Sequence, residues 1–214
     1  MHKFLVIFAL FVLPFTLEAT IKNPHPVKKI NAWFNSEKER SERGYHRFAT
    51  LSTVDTDGYP SSRIIEINQM SQKNGILFFT HRSTQKAAHL FLNPQAALNI
   101  WLPKTLRQIS INGETKEISS RIAEKSWNRM PRYMKLTFMA SEHEGVLTSP
   151  TILQERKEKL NDTYKGDIPM PDTFVGYRLI PEKVIFYEIK PRQFPEKELS
   201  ILEGDKWCTY PLEP

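Results

Sequence analysis

A chain of 214 residues has room for one domain of good size, or one domain with helical additions. Its 40% hydrophobic and 25% charged residues describe an ordinary globular protein, and a single cysteine, Cys208, excludes an intramolecular disulfide and a cysteine-based zinc site. The net charge of +6 would allow nucleic acid, a membrane surface or a phosphorylated ligand as partner, but the bases are interspersed with acids and never run beyond two in a row. A mixed solvated surface is therefore expected, with no nucleic-acid partner and no stable membrane partner.

The first residues stand apart from the rest. Lys3 is followed by an apolar run from Phe4 to Leu17, and then by Leu17-Glu18-Ala19 as a small-residue cleavage site. That order is the layout of a signal peptide, and the run is short for a membrane span. Residues 1–19 are read as a leader and 20–214 as a single domain. Export to the periplasm is expected if the leader is cleaved, and a cytoplasmic location otherwise.

After a stiff Asn23-Pro24, His25-Pro26 linker, Val27 to Arg43 has helical spacing, with Val27, Ile30, Trp33 and Phe34 on one face. Phe48 to Val54 alternates as a strand, Asp57-Gly58 marks a hairpin turn, and Ser61 to Ile67 forms the return strand. Asn74-Gly75 is a second turn, and Ile76 to Thr80 a buried strand. Ser83 or Thr84 then caps a short helix whose Leu90 and Phe91 are expected to pack inward. Ala96 to Leu102 and Arg107 to Ile118 read as strands, the second with a bulge or bend at Gly113. Helices are expected over Ser119–Arg129, Tyr133–Ser141 and from Thr148 to Tyr164. Four short strands follow, Phe174–Ile180, Lys183–Lys190, Glu198–Leu202 and Trp207–Tyr210, with turns at Pro181-Glu182 and Gly204-Asp205. The sum is a mostly β chain with peripheral helices, an antiparallel barrel of the α+β class.

Two cations occupy useful places in the unit from Phe48 to Leu92: Arg63 on a strand, and Lys86 in the first turn of the helix. The free N–H groups and positive dipole end of a helix start make the neighbourhood of Lys86 an anion seat. Other constellations yield nothing: the histidines lack metal-ligand spacing, and GxSxG, P-loop and GxGxxG motifs are absent. Glu66, between Ile65 and Ile67, reads as an outer-face carboxylate.

In the order of its motifs over roughly residues 25–214, the chain resembles the pyridoxamine 5′-phosphate oxidase family, whose fold is an FMN-binding split β-barrel and whose members hold FMN at a homodimer interface. The resemblance implies that Arg63 with Ile64, the pair Phe79-Thr80 and the pair Gln85-Lys86 hold the flavin phosphate. It implies that Gln108, of Arg107-Gln108, reaches the flavin ring together with Tyr187 and Lys197. The chain departs from the family at several of these positions. Gln85 stands for a family Arg, Tyr187 for a Trp and Lys197 for an Arg, and the ring-contacting Gln-Ser pair falls at His143-Glu144.

On the substrate side the departures are larger. The family's substrate-phosphate Lys falls at Asn68, and its Tyr, Arg and Ser fall at Ser126, Met130 and Met134. The Arg-x-His near the reacting carbon falls at Gln193-Phe194-Pro195. The cations that would grip a substrate phosphate are thus replaced by neutral residues, with Phe138 adding to an apolar pocket. The resemblance implies an FMN-dependent oxidoreductase passing hydride from a small organic substrate to flavin, with oxygen as the reoxidant. That substrate is expected to be less anionic, and flatter or more hydrophobic, than pyridoxamine phosphate, as in the related flavin oxidases of phenazine biosynthesis. A genuine pyridoxamine or pyridoxine 5′-phosphate oxidase and a non-catalytic flavin-binding protein are the alternatives. No side chain is assigned as a catalytic acid or base, and no metal is expected.

Overall fold

The computed structural model describes residues 24–41, 47–141 and 145–214. The leader expected at 1–19 and the pair His143-Glu144 lie outside the described residues.

Helix α1, Val27–Glu39, buries Val27, Ile30, Trp33 and Phe34, the four residues whose spacing defined its apolar face. Strands β1, Phe48–Val54, and β2, Pro60–Glu66, form the expected hairpin. The Asp55 carboxylate closes its turn by accepting the amide hydrogens of Asp57 and Tyr59 at 2.9 and 2.8 Å. A three-residue strand, β3 (Gln69–Ser71), was not anticipated; it returns through the Asn74-Gly75 turn into β4, Gly75–His81. Its brevity hid it, since three residues show no period.

Helix α2, Gln85–Leu92, buries Ala87, His89 and Leu90. Phe91, expected inside, is 85% exposed. A residue one position past Leu90 is rotated by about 100° on a helix, which carries it away from the sheet. Strands β5, Gln95–Leu102, and β6, Arg107–Glu117, follow, and then helices α3, Ser120–Arg129, α4, Arg132–Ala140, and α5, Ile152–Thr163. The last begins four residues later than its sequence signal and buries none of its residues.

The chain closes with β7, Phe174–Glu188, β8, Glu196–Glu203, and β9, Lys206–Leu212. The expected turn at Pro181-Glu182 is absent, and β7 is one strand of 15 residues. The register places Asn112 opposite Lys183 and Gly113 opposite Pro181, so Glu182 is the extra residue of a bulge. A bulge tolerates a proline because a ladder N–H is not required there. Gly113 is needed beside it: a Cβ at that position would stand 1.9 Å from the Ile180 carbonyl oxygen.

The antiparallel sheet runs β2-β1-β5-β6-β7-β4-β3, with β8 and β9 continuing from the far half of β7. Because β7 pairs with β4 over Phe174–Leu179 and with β8 over Lys183–Glu188, this one strand turns the sheet into a half-barrel. The inner face carries Leu51, Leu98, Ile109, Ile111, Val184 and Phe186 under α1. A second cluster, around Trp127, Phe174, Leu77 and Ile118, seats α3 and α4 on β4 and β7. The Trp127 indole donates to the Ile168 carbonyl at 2.8 Å, satisfying the one polar atom of a fully buried ring.

Candidate functional site

Helix α2 borders both predicted cations. Lys86, in its first turn, donates from Nζ to Thr80 Oγ1 of β4 at 3.3 Å. Arg63 shares the inward face of β2 with buried Ile65 and Ile67, and its Nη1 donates to Thr53 Oγ1 at 2.7 Å and to the Ser61 carbonyl at 3.0 Å. The Thr53 hydroxyl in turn lies 3.1 Å from His89 Nδ1. His89 and Lys86 are three residues apart on the helix and therefore share one face. Lys86 stands in the first turn of α2 and His89, linked through Thr53 to Arg63, in its last turn, so guanidinium, ammonium and hydroxyl groups of the kind a phosphomonoester requires lie along this short helix.

Thr84 stands at the N-cap position but does not cap with its side chain. Its hydroxyl donates to the His81 carbonyl at 2.8 Å and meets Thr80 Oγ1 at 3.2 Å, which fixes the bend between β4 and the helix. Gln85 is exposed at the first helical position. Thr53 and His89 escaped the sequence reading. The Asp57-Gly58 hairpin register would have found Thr53, because it sets β1 against β2 with Leu51 opposite Arg63 and Thr53 opposite Ser61.

The substrate-side positions converge elsewhere. A cavity of about 340 Å³ lies between the end of β2, strand β4 and helix α4, and among its lining residues are Asn68, Phe79, Met130, Met134 and Phe138. A second cavity of about 460 Å³ adjoins it, sharing Asn68, Phe79, Met130 and Met134 and adding Ser126 and Arg129. Phe79 is stacked on Phe174 with ring centroids 4.8 Å apart, which makes one wall flat. Glu66 lines both cavities. It does lie on the exposed face of β2, as its alternation requires, but β2 ends there and the sheet edge becomes the cavity rim. Gln193 is not part of this group: it is exposed in the turn after Lys190.

The remaining flavin positions form a row across four strands. Trp101 pairs with Gln108, Gln108 with Tyr187, and Tyr187 with Lys197, so their side chains share the outer face of the sheet. Ile64 is on that outer face too, 72% exposed. Arg107, next to Gln108, points to the opposite side, where it pairs with Glu188 at 3.0 Å and lies over the Trp33 ring. Lys197 borders a separate groove between α1 and the β8–β9 hairpin, lined also by Lys29, Trp33 and Glu198.

Residues 36–160 match the family model described as pyridoxamine 5′-phosphate oxidase. The chain belongs to this family. Among its relatives, the pyridoxine/pyridoxamine 5′-phosphate oxidase of Gloeothece citriformis is 29% identical over 194 residues, covering 90% of each chain. The enzyme of the same name from Flavobacterium johnsoniae is 28% identical over 181 residues, covering 84% of each. Among solved structures, PhzG from Burkholderia lata, determined with tetrahydrophenazine-1-carboxylic acid, superposes with a TM-score of 0.82 at 24% identity, covering 89% of this chain and 94% of that one. A pyridoxamine 5′-phosphate oxidase-related, FMN-binding protein from Nostoc punctiforme superposes with a TM-score of 0.74 at 18% identity, covering 90% and 100%. Members of this family and fold are split barrels of the FMN-binding oxidoreductase superfamily, and the half-barrel described above is that fold.

Proposed function

We propose that the chain is an FMN-dependent oxidoreductase, working as a homodimer on a small organic substrate other than pyridoxamine phosphate. The observation that carries the cofactor is the arrangement about α2: Arg63 donating to Thr53, whose hydroxyl also meets His89, and Lys86 donating to Thr80. Those residues would bind the FMN phosphate. Bound there, the flavin would supply two-electron hydride chemistry; the protein supplies orientation and exclusion of water.

The placement of the residues on the two faces of the sheet supports the reading of a second subunit. Arg63 lies on the inner face of the sheet, whereas Gln108 and Tyr187 lie on the outer face. One copy cannot present both sets to one ligand, because the sheet itself stands between them. A partner copy laying its outer face beside α2 would bring ring-contacting groups to the phosphate seat. The same outer face carries two exposed large apolar side chains, Ile64 and Trp101, at 72% and 48% exposure, which a partner copy would cover.

The substrate reading rests on Asn68, Met130 and Met134 at the cavity. With neutral side chains at these three places, the charge-assisted contacts of about 1.5–3 kcal/mol each that a phosphate would receive there are lost. Export of the chain, suggested by residues 1–19, is a separate proposal that intact-mass measurement tests directly. For the main proposal the test is chemical. Purified protein should be yellow, release FMN on denaturation, and turn over flat organic donors under oxygen faster than pyridoxamine phosphate. A colourless protein that gains no flavin absorbance on adding FMN would refute it. Turnover of pyridoxamine phosphate at ordinary enzyme rates would establish the family's named reaction instead.

A further inference from the structure

The cavity beside β4 carries an acid at a place where a phosphate site would need a base. Glu66 borders both of its compartments, and among the described residues its carboxylate has no hydrogen-bond or ion-pair partner. Asn68, two positions on, shares both compartments and adds a neutral amide with an acceptor oxygen. Arg129 lines only the second compartment, beyond Met130. Between these polar groups the walls are Phe79, Met130, Met134 and Phe138, suited to the faces of a ring.

We propose that this cavity selects an unphosphorylated flat aromatic amine, cationic or N–H-donating at the edge facing Glu66 and Asn68, and that Glu66 is the residue that turns phosphorylated compounds away. The proposal rests on reading the cavity as the substrate side of the flavin site. Two effects act together. An ammonium or ring N–H donates a charge-assisted hydrogen bond to the carboxylate, and a phosphate placed in the same volume meets a like charge, Arg129 being the one base among the described lining residues.

The test is calorimetric titration of the purified flavin-loaded protein with two flat probes of equal ring size: an aminoquinoline, cationic at neutral pH, and naphthyl phosphate. The aminoquinoline should bind about tenfold or more tighter, the factor that one charge-assisted contact yields. Glu66→Gln should remove about that factor and leave the flavin content unchanged. Asn68→Lys, which adds a base beside the acid, should shift the preference toward naphthyl phosphate and serves as a second check should Glu66→Gln misfold. Equal or tighter binding of naphthyl phosphate by the parent protein would overturn the proposal, as would an unchanged ratio in Glu66→Gln. Flavin absorbance, read on the same samples, separates the two claims. Yellow protein without the amine preference sinks this inference alone, and colourless protein that keeps the preference sinks the flavin reading alone.

Discussion

Arg63 donates a 2.7 Å hydrogen bond to Thr53, and through that hydroxyl the guanidinium is tied to His89 of α2, one turn beyond Lys86. The link matters because a guanidinium fixed before the ligand arrives loses little side-chain entropy on binding it. Arg63→Gln and Lys86→Gln should each weaken FMN binding by about 10- to 100-fold, the loss of one charge-assisted phosphate contact. Thr53→Val should cost only a few-fold, since it frees Arg63 without removing it. Flavin fluorescence quenching gives the three dissociation constants. If Thr53→Val proved as damaging as Arg63→Gln, the threonine would itself have to be a ligand.

The outer-face row from Trp101 through Gln108 and Tyr187 to Lys197 makes a separate prediction. Trp101→Glu places a charge on the outer face, where Trp101 is 48% exposed, and alters none of the groups around α2. If the proposed dimer forms, this variant should be monomeric on a sizing column with light scattering where the parent is dimeric, and should bind FMN about tenfold or more weakly for want of the proposed partner contacts. A monomeric variant that holds FMN as tightly as the parent would show that one copy suffices.

Much of this arrangement was legible from residue order. The β1–β2 hairpin, the Asn74-Gly75 turn and the apolar face of α1 each follow from a local signal, a glycine in a turn or a helical period, and the structure repeats them. Gly113 was legible as a bulge or bend, and it stands opposite the strand that carries the bulged residue. What stayed hidden is long-range. The Pro181-Glu182 pair looks like a turn until Gly113, some seventy residues earlier in sequence, is placed across from it and the two irregularities are seen to be one. Phe91 is apolar and lies next to a buried leucine, yet only the docking of α2 decides which of the two faces inward. Glu66 belongs to the exposed side of its strand by parity, and nothing local tells that residues of α4 will line the same cavity.

Glu37 offers a test of the fold free of any ligand. It is 1% exposed at the end of α1, and its two oxygens accept the Lys104 amide at 2.8 Å and both the Thr105 amide and hydroxyl at 2.9 Å. The carboxylate thus holds the β5–β6 turn to the helix. Glu37→Ala leaves buried donors without acceptors, and a loss of about 3 kcal/mol is expected. Glu37→Gln, which turns an amide donor toward other donors, should cost a substantial part of that. Urea unfolding midpoints at constant slope measure both. A shift under about 0.5 kcal/mol, the size of an ordinary surface substitution, would mean the turn keeps its shape without the helix.

Among the described residues, the β8–β9 hairpin carries a group whose titration is moved far. Tyr210 donates from its hydroxyl to Glu203 Oε1 at 3.0 Å, and this bond, followed by burial and the negative charge of Glu203, pushes its pKa from 10 up to about 12. The neutral phenol is the form that makes the bond, so its contribution to stability is complete below about pH 10. It is lost as pH rises through about 12. The phenolate absorbance of the parent minus that of Tyr210→Phe isolates this residue from the other tyrosines. The difference should titrate near 12 in the parent and fall back toward 10 once Glu203→Gln removes the charge. A parent difference curve already centred at 10 would mean that the two side chains do not meet in solution, and the register of Glu203 opposite Lys206 at the hairpin end would then need to be redrawn.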